Sequence, residues 1–190
     1  MMTMLNFAMI GYSLAIFACL ALAQATFTVS PAKTVPNGAS IEIDNRYQSY
    51  SIEFCYMVDF AGNKTHPNQL SNTLLQNLID ITGAAPIIRG GGGSSNHVTY
   101  FYNQTEAIIN NFDNPTDDQP ASLTIGPGYW DSYTTFPGGT QYIVGLNLEA
   151  NGSDAFPDIV REFNTSLSVI GENLYAYELV NEAGHTLLTV

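Results

Sequence analysis

Apolar and polar positions along this chain alternate between two rhythms. Short apolar runs rich in β-branched and aromatic residues read as strands buried on both faces, and longer stretches with apolar residues three and four apart read as helices with one buried side. The run at 49–56 is the first such strand. Over 69–81 the apolar residues Leu70, Leu74, Leu75, Leu78 and Ile81 share one helical face, and Gly83 follows as a stop. A second strand at 84–89 runs into Gly90-Gly91-Gly92-Gly93. Residues 97–121 are polar and predicted irregular, with loop chemistry at Asn114-Pro115. Residues 122–125 form a short strand, 128–136 a short aromatic helix and 141–148 a clear strand. The stretch 156–170 is a helix with Pro157 in its first turn, Gly171 ends it, and 174–180 is the last strand.

This order, strand then helix then strand, predicts βα units on a parallel sheet, and so the α/β class. A closed (β/α)8 barrel needs about 250 residues. The chain has 190, room for about the first four βα units, so the expectation is a partial TIM barrel over 49–190. Ahead of it, 26–48 reads as an edge-strand segment, with strand-like pieces at Phe27-Thr28-Val29 and Ile41-Glu42-Ile43 separated by Pro31, Pro36 and Gly38.

Residues 5–25 change the picture again. They are apolar or small, and the first charged side chain is Lys33. Ala21-Leu22-Ala23 and Ala23-Gln24-Ala25 fit a small-x-small cleavage pattern, so 1–25 is expected to be a signal peptide removed on secretion. The alternative is an uncleaved membrane anchor, since the run nears the roughly 20 residues that span a bilayer. Sequons at Asn63, Asn103, Asn151 and Asn164 predict glycosylation and agree with export. Cys19 leaves with the signal, which makes Cys55 either a buried thiol or one that lacks its partner. The net charge of −12 excludes nucleic acid and anionic membranes as partners after signal cleavage.

The candidate chemistry sits at strand ends. Tyr177-Glu178-Leu179-Val180-Asn181-Glu182 delivers an Asn-Glu pair just past the last strand, where α/β barrels keep catalytic groups. Glu182 is a candidate general acid, and Asn181 a candidate donor to a sugar hydroxyl; an ordinary helix start is the competing reading. Glu53, on the first strand, either reaches substrate or pairs with Arg89 on the next. Asn96, just past the glycines, either lines a sugar site or fills a loop. The glycine run lacks the Lys-Ser/Thr of a phosphate loop. His66, His97 and His185 match no metal spacing, so no metal and no cofactor are expected.

Taken in order, Ser51-Ile52-Glu53-Phe54, Ile87-Ile88-Arg89-Gly90-Gly91-Gly92, Leu123-Thr124-Ile125-Gly126-Pro127 and Tyr177-Glu178-Leu179-Val180-Asn181-Glu182 resemble the amino-terminal half of glycoside hydrolase family 79, the β-glucuronidase and heparanase-like family, in its fungal secreted form. The resemblance implies a (β/α)8 barrel with an attached β-sandwich and retaining hydrolysis of uronic-acid glycosides. It matches Glu182 to the acid/base and Asn181 to the Asn before it. Val180 stands where the family pattern has Gly, and residues 183–190 depart from its continuation. The nucleophile the resemblance implies lies beyond this chain, so the chain alone is expected to be inactive. A non-catalytic secreted glycan-binding protein on a half barrel is the alternative.

Overall fold

The computed structural model describes residues 33–150, 152, 153 and 155–182, together with Thr28 and Ser30. The expected signal peptide, Asn151 and His185 lie outside these residues. Among the described residues no helix is long and apolar enough to cross a membrane.

Residues up to Glu42 form one unit and those from Ile43 another. In the first, Ala39 N–H closes a turn on the Pro36 carbonyl at 3.2 Å. The strand expected at Ile41-Glu42-Ile43 is not formed. Three residues centred on an acidic side chain offer too little apolar surface to hold a ladder.

The second unit contains seven described strands: β1 (Tyr50–Glu53), β2 (Ile87–Gly91), β3 (Val98–Tyr100), β4 (Ile108–Asn111), β5 (Ser122–Ile125), β6 (Gln141–Gly145) and β7 (Leu174–Glu178). Its α-helices are α1 (Met57–Ala61), α2 (Gln69–Thr82) and α3 (Ala155–Ile170). The main sheet runs β1-β2-β6-β7 with every pair parallel, α2 lying between β1 and β2 in the chain and α3 between β6 and β7. This is the α/β architecture expected.

The stretch 97–121 is not irregular throughout. It supplies β3 and β4, which flank β5 in a second sheet of order β3-β5-β4, β3 parallel to β5 and β4 antiparallel. The first strand is also shorter than 49–56: after Glu53 the backbone turns into a 3-10 helix at Phe54–Tyr56.

The predicted helix at 69–81 is α2. The Asn68 side chain caps it, Oδ1 accepting from Leu70 and Ser71 N–H at 3.1 and 3.2 Å, and Gly83 closes it in the left-handed region at φ 77°. Its apolar face divides. Leu75 is buried and Leu78 packs partly on the core, but Leu70, Leu74 and Ile81 are exposed. Leu70 and Leu74 line an apolar groove of about 680 Å³ with Tyr50, Ile52, Tyr56 and Phe60, along the outer edge of β1.

The two faces of the main sheet differ. Ile88, Gly90, Tyr142 and Val144 alternate onto a buried face, while Arg89 and Ile143, directly paired across β2 and β6, share the other, half-buried face with Ser51 and Ala176. The buried side meets an aromatic cluster. Phe54 stacks on Tyr129 at 4.7 Å between ring centroids, Trp130 stands edge-on to Tyr129 at 5.1 Å, and Tyr133 meets Tyr142 at 5.3 Å. The aromatic helix expected at 128–136 is there as a 3-10 helix, Pro127–Thr134.

Glu162 of α3 is buried beside this cluster, 2% exposed. Burial first, and the charge of Asp158 second, push its carboxyl up from 4.5 to about 8. It is therefore neutral at pH 7. Cys55 is buried, with its thiol pushed up chiefly by burial, and forms no disulfide among the described residues.

Candidate functional site

Parallel strands end together, so the chemistry named from the sequence converges on one edge of the sheet. Glu53 ends β1, the glycine run follows β2, Gly145 ends β6, and Glu178 ends β7 ahead of Asn181-Glu182. The register sets Glu53 beside Gly91 and Gly145 beside Glu178.

Arg89 organises this edge. Its guanidinium donates from Nε to Glu178 Oε2 at 2.8 Å and from Nη2 to the same oxygen at 2.6 Å. Nη2 also donates to Asn181 Oδ1 at 3.1 Å, and Nη1 to Ser51 Oγ at 2.9 Å. The expected Glu53–Arg89 pair is therefore corrected: the carboxylate on Arg89 is that of Glu178. Glu53 is engaged elsewhere, its Oε1 accepting from Ser94 N–H at 2.7 Å and Ser94 Oγ–H at 2.6 Å. Those two donors fix the carboxylate under the 3-10 turn Gly93–His97.

The glycines make room for these carboxylates. Gly92 has φ +96°, and a Cβ there would collide with the Glu53 carboxylate. A Cβ on Gly91 would lie 3.0 Å from Glu178 Oε2 and 3.1 Å from Arg89 Cζ, and one on Gly145 would press on Gly91 Cα at 3.2 Å. Gly91 and Gly92 thus make room for two carboxylates and a guanidinium, while a Cβ on Gly90 would collide with Tyr133 and one on Gly93 with Gln119.

Asn96 lies at the same edge. Its Oδ1 accepts from Asn181 N–H at 3.2 Å and its Nδ2 donates to the Asn181 carbonyl at 3.4 Å. Asn181 is half-buried, and Glu182 is exposed at φ 54°. Glu53, Asn96, Asn181 and Glu182 thus sit on one sheet edge. Sequence reasoning missed Glu178 and Ser94. Glu178 was visible as an acid four residues before Glu182, on a strand end facing the same side as Arg89.

Among the described residues no group of three His, Cys, Asp or Glu is placed to hold a metal. Of the sequon asparagines, Asn63, Asn103 and Asn164 are exposed.

No family model matches the chain. It is 34% identical over 161 residues to a β-glucuronidase of Aspergillus niger, covering 84% of this chain and 30% of that protein. It is 36% identical over 130 residues to a β-glucuronidase of Neurospora crassa, covering 63% of this chain and 23% of that one. The chain thus spans less than a third of the length of these curated relatives. Its fold is similar to the crystal structure of a 4-O-α-L-rhamnosyl-β-D-glucuronidase from Fusarium oxysporum in complex with Rha-GlcA, at a TM-score of 0.61 and 27% identity, covering 73% of this chain and 28% of that one. Two curated relatives and one solved structure therefore support a glucuronidase-like family for this chain.

Proposed function

We propose that this chain carries the amino-terminal part of a secreted retaining glycosidase of family 79 acting on β-glucuronides, with Glu182 as its acid/base. The observation that carries the reading is Asn181-Glu182 at the carboxyl end of the fourth parallel strand of the main sheet, tied to Arg89 of the second. Exposed Asn63, Asn103 and Asn164 suit glycosylation on a secretory route.

The sheet supports a partial barrel. Its strands neighbour one another in chain order, and right-handed crossovers repeated in one direction put every helix on one face, as a (β/α)8 barrel requires. The half-buried face carrying Arg89 is then the barrel interior. The apolar groove between the β1 edge and Leu70 and Leu74 of α2 is where a closing strand and helix would pack.

Retaining hydrolysis takes two carboxylates about 5 Å apart. One protonates the leaving oxygen and then activates water; the other attacks the sugar. Glu182, exposed at the sheet edge, fits the first role. Asn181, its Oδ1 turned to Arg89, aims its Nδ2 donor away from the guanidinium. Glu53 and Glu178 are held by Ser94 and Arg89 and serve as structure, so neither is offered as the nucleophile.

The test is turnover of an aryl β-glucuronide by the longest product of the gene, by its Glu182→Gln variant and by the 190-residue chain. The long product should be active, Glu182→Gln should lose at least about 100-fold, and the short chain should show no turnover. An active long product that tolerates Glu182→Gln would remove the acid/base assignment.

A further inference from the structure

We infer that Asn96 and Arg89 are positioning residues that grip Asn181 from two sides and so set the backbone that carries Glu182. This rests on the acid/base reading of Glu182 given above.

β7 ends at Glu178 as a paired strand. Beyond it, Leu179 still accepts through its carbonyl from Leu148 N–H at 3.0 Å, the last backbone bond with the β6 side among the described residues. The peptide groups of Asn181 would then need solvent as their partner. Asn96 substitutes for the missing strand: its side-chain amide takes both the N–H and the carbonyl of Asn181, at 3.2 and 3.4 Å, as a neighbouring peptide would. Arg89 fixes the side chain of the same residue, donating to Oδ1 at 3.1 Å. A guanidinium has no acceptor, so only the oxygen end of the Asn181 amide can face it.

Neither contact touches Glu182 itself. They act one residue upstream, about 3.8 Å away along a rigid peptide. That distance matters because Glu182 holds φ 54°, a left-handed conformation disfavoured for a residue with a side chain. A turn of this kind persists where its surroundings hold it. Asn96 is in turn located by the Gly93–His97 turn, whose Ser94 is tied to Glu53. The carboxylate at the end of β1 thereby bears on the carboxylate after β7 through the loop following β2.

The test is NMR of the 15N,13C-labelled chain and of its Asn96→Leu, Asn96→Asp and Arg89→Lys variants. In the parent chain the Asn181 amide should exchange at least about tenfold slower than an unprotected amide, and couplings should report a single Asn181 χ1 and the left-handed φ at Glu182. Asn96→Leu should abolish that protection and the left-handed φ while the amides of β2 and β6 keep theirs. Asn96→Asp keeps the acceptor and should keep the Asn181 amide protected. Arg89→Lys should average χ1 of Asn181. Should Asn96→Leu unfold, the parent chain and Asn96→Asp decide: an unprotected Asn181 amide in either overturns the inference, as does unchanged protection in a folded Asn96→Leu. No substrate enters these measurements, so failure here leaves the glycosidase reading standing, and an inactive Glu182 leaves the grip standing.

Discussion

Replacing Glu162 by Gln should make the fold insensitive to a titration that weakens the parent chain. The carboxyl lies under α3 against the aromatic cluster, and Tyr129, Tyr133 and Tyr177, from the 3-10 helix and from β7, all respond to its charge. Asp158 on its own helix adds a like charge. In the folded chain the group holds its proton until about pH 8, whereas in the unfolded chain it releases it near 4.5. Between those values the folded state binds the extra proton, so stability falls as pH rises through the window. The contribution is whole below pH 4.5 and gone above about 8. At about 1.4 kcal/mol per pH unit, the full window sets an upper bound of about 5 kcal/mol, and pH 7 takes roughly 3 of it. Gln has nearly the same shape and no charge at any of these pH values. Its extra donors shift stability by a constant, so the measured quantity is the pH dependence of the difference between the two proteins. Urea unfolding followed by circular dichroism at pH 4.5, 6, 7 and 8 gives it. The Gln variant should gain on the parent by roughly 3 kcal/mol between pH 4.5 and 7. A difference that stays flat across that range would refute the buried, neutral carboxyl.

Three further perturbations bear on the site and its frame. Gly92→Ala combines a disfavoured φ of +96° with a collision against the Glu53 carboxylate, and should lower stability by roughly 2–4 kcal/mol, read as a lower urea midpoint. Asn68→Ala removes the acceptor for Leu70 and Ser71 N–H at the start of α2 and should remove about 1 kcal/mol with an unchanged denaturant slope. Arg89→Met leaves Glu178, with about a third of its side chain exposed, without its ion pair; it should lower stability by roughly 1–3 kcal/mol, and raising the salt concentration should narrow the gap. A larger gap at high salt would contradict the pairing.

Much of the frame was legible because its signals are local. Leu70, Leu74, Leu75, Leu78 and Ile81 mark a helix whatever surrounds them, and 141–148 and 174–180 are apolar enough to be strands in most contexts. β3 and β4 were not legible. Val98–Tyr100 and Ile108–Asn111 are three and four residues long and owe their conformation to β5, which pairs with both. The convergence of Glu53, Asn96 and Asn181-Glu182 on one edge followed from parallel strands ending together. The partner of Arg89 did not, because two carboxylates compete for it across the sheet. Ser94, which decides the competition by holding Glu53, lies 41 residues away in sequence.

The reach of Arg89 to Glu178 has a genetic corollary. The two residues belong to strands separated by β6, and their contact passes over backbone with no side chain at Gly91 and Gly145. Neither glycine has a charge to lose, yet a methyl group at Gly91 would push on both members of the ion pair. Gly91→Ala should therefore reproduce the defect of Arg89→Met, and combining the two should add little to either alone. Gly91 and the ion pair are thus linked: a variant that abandons the pair frees Gly91, whereas Gly145 stays held by Ser95 and the Gly91 backbone whether or not the pair is kept.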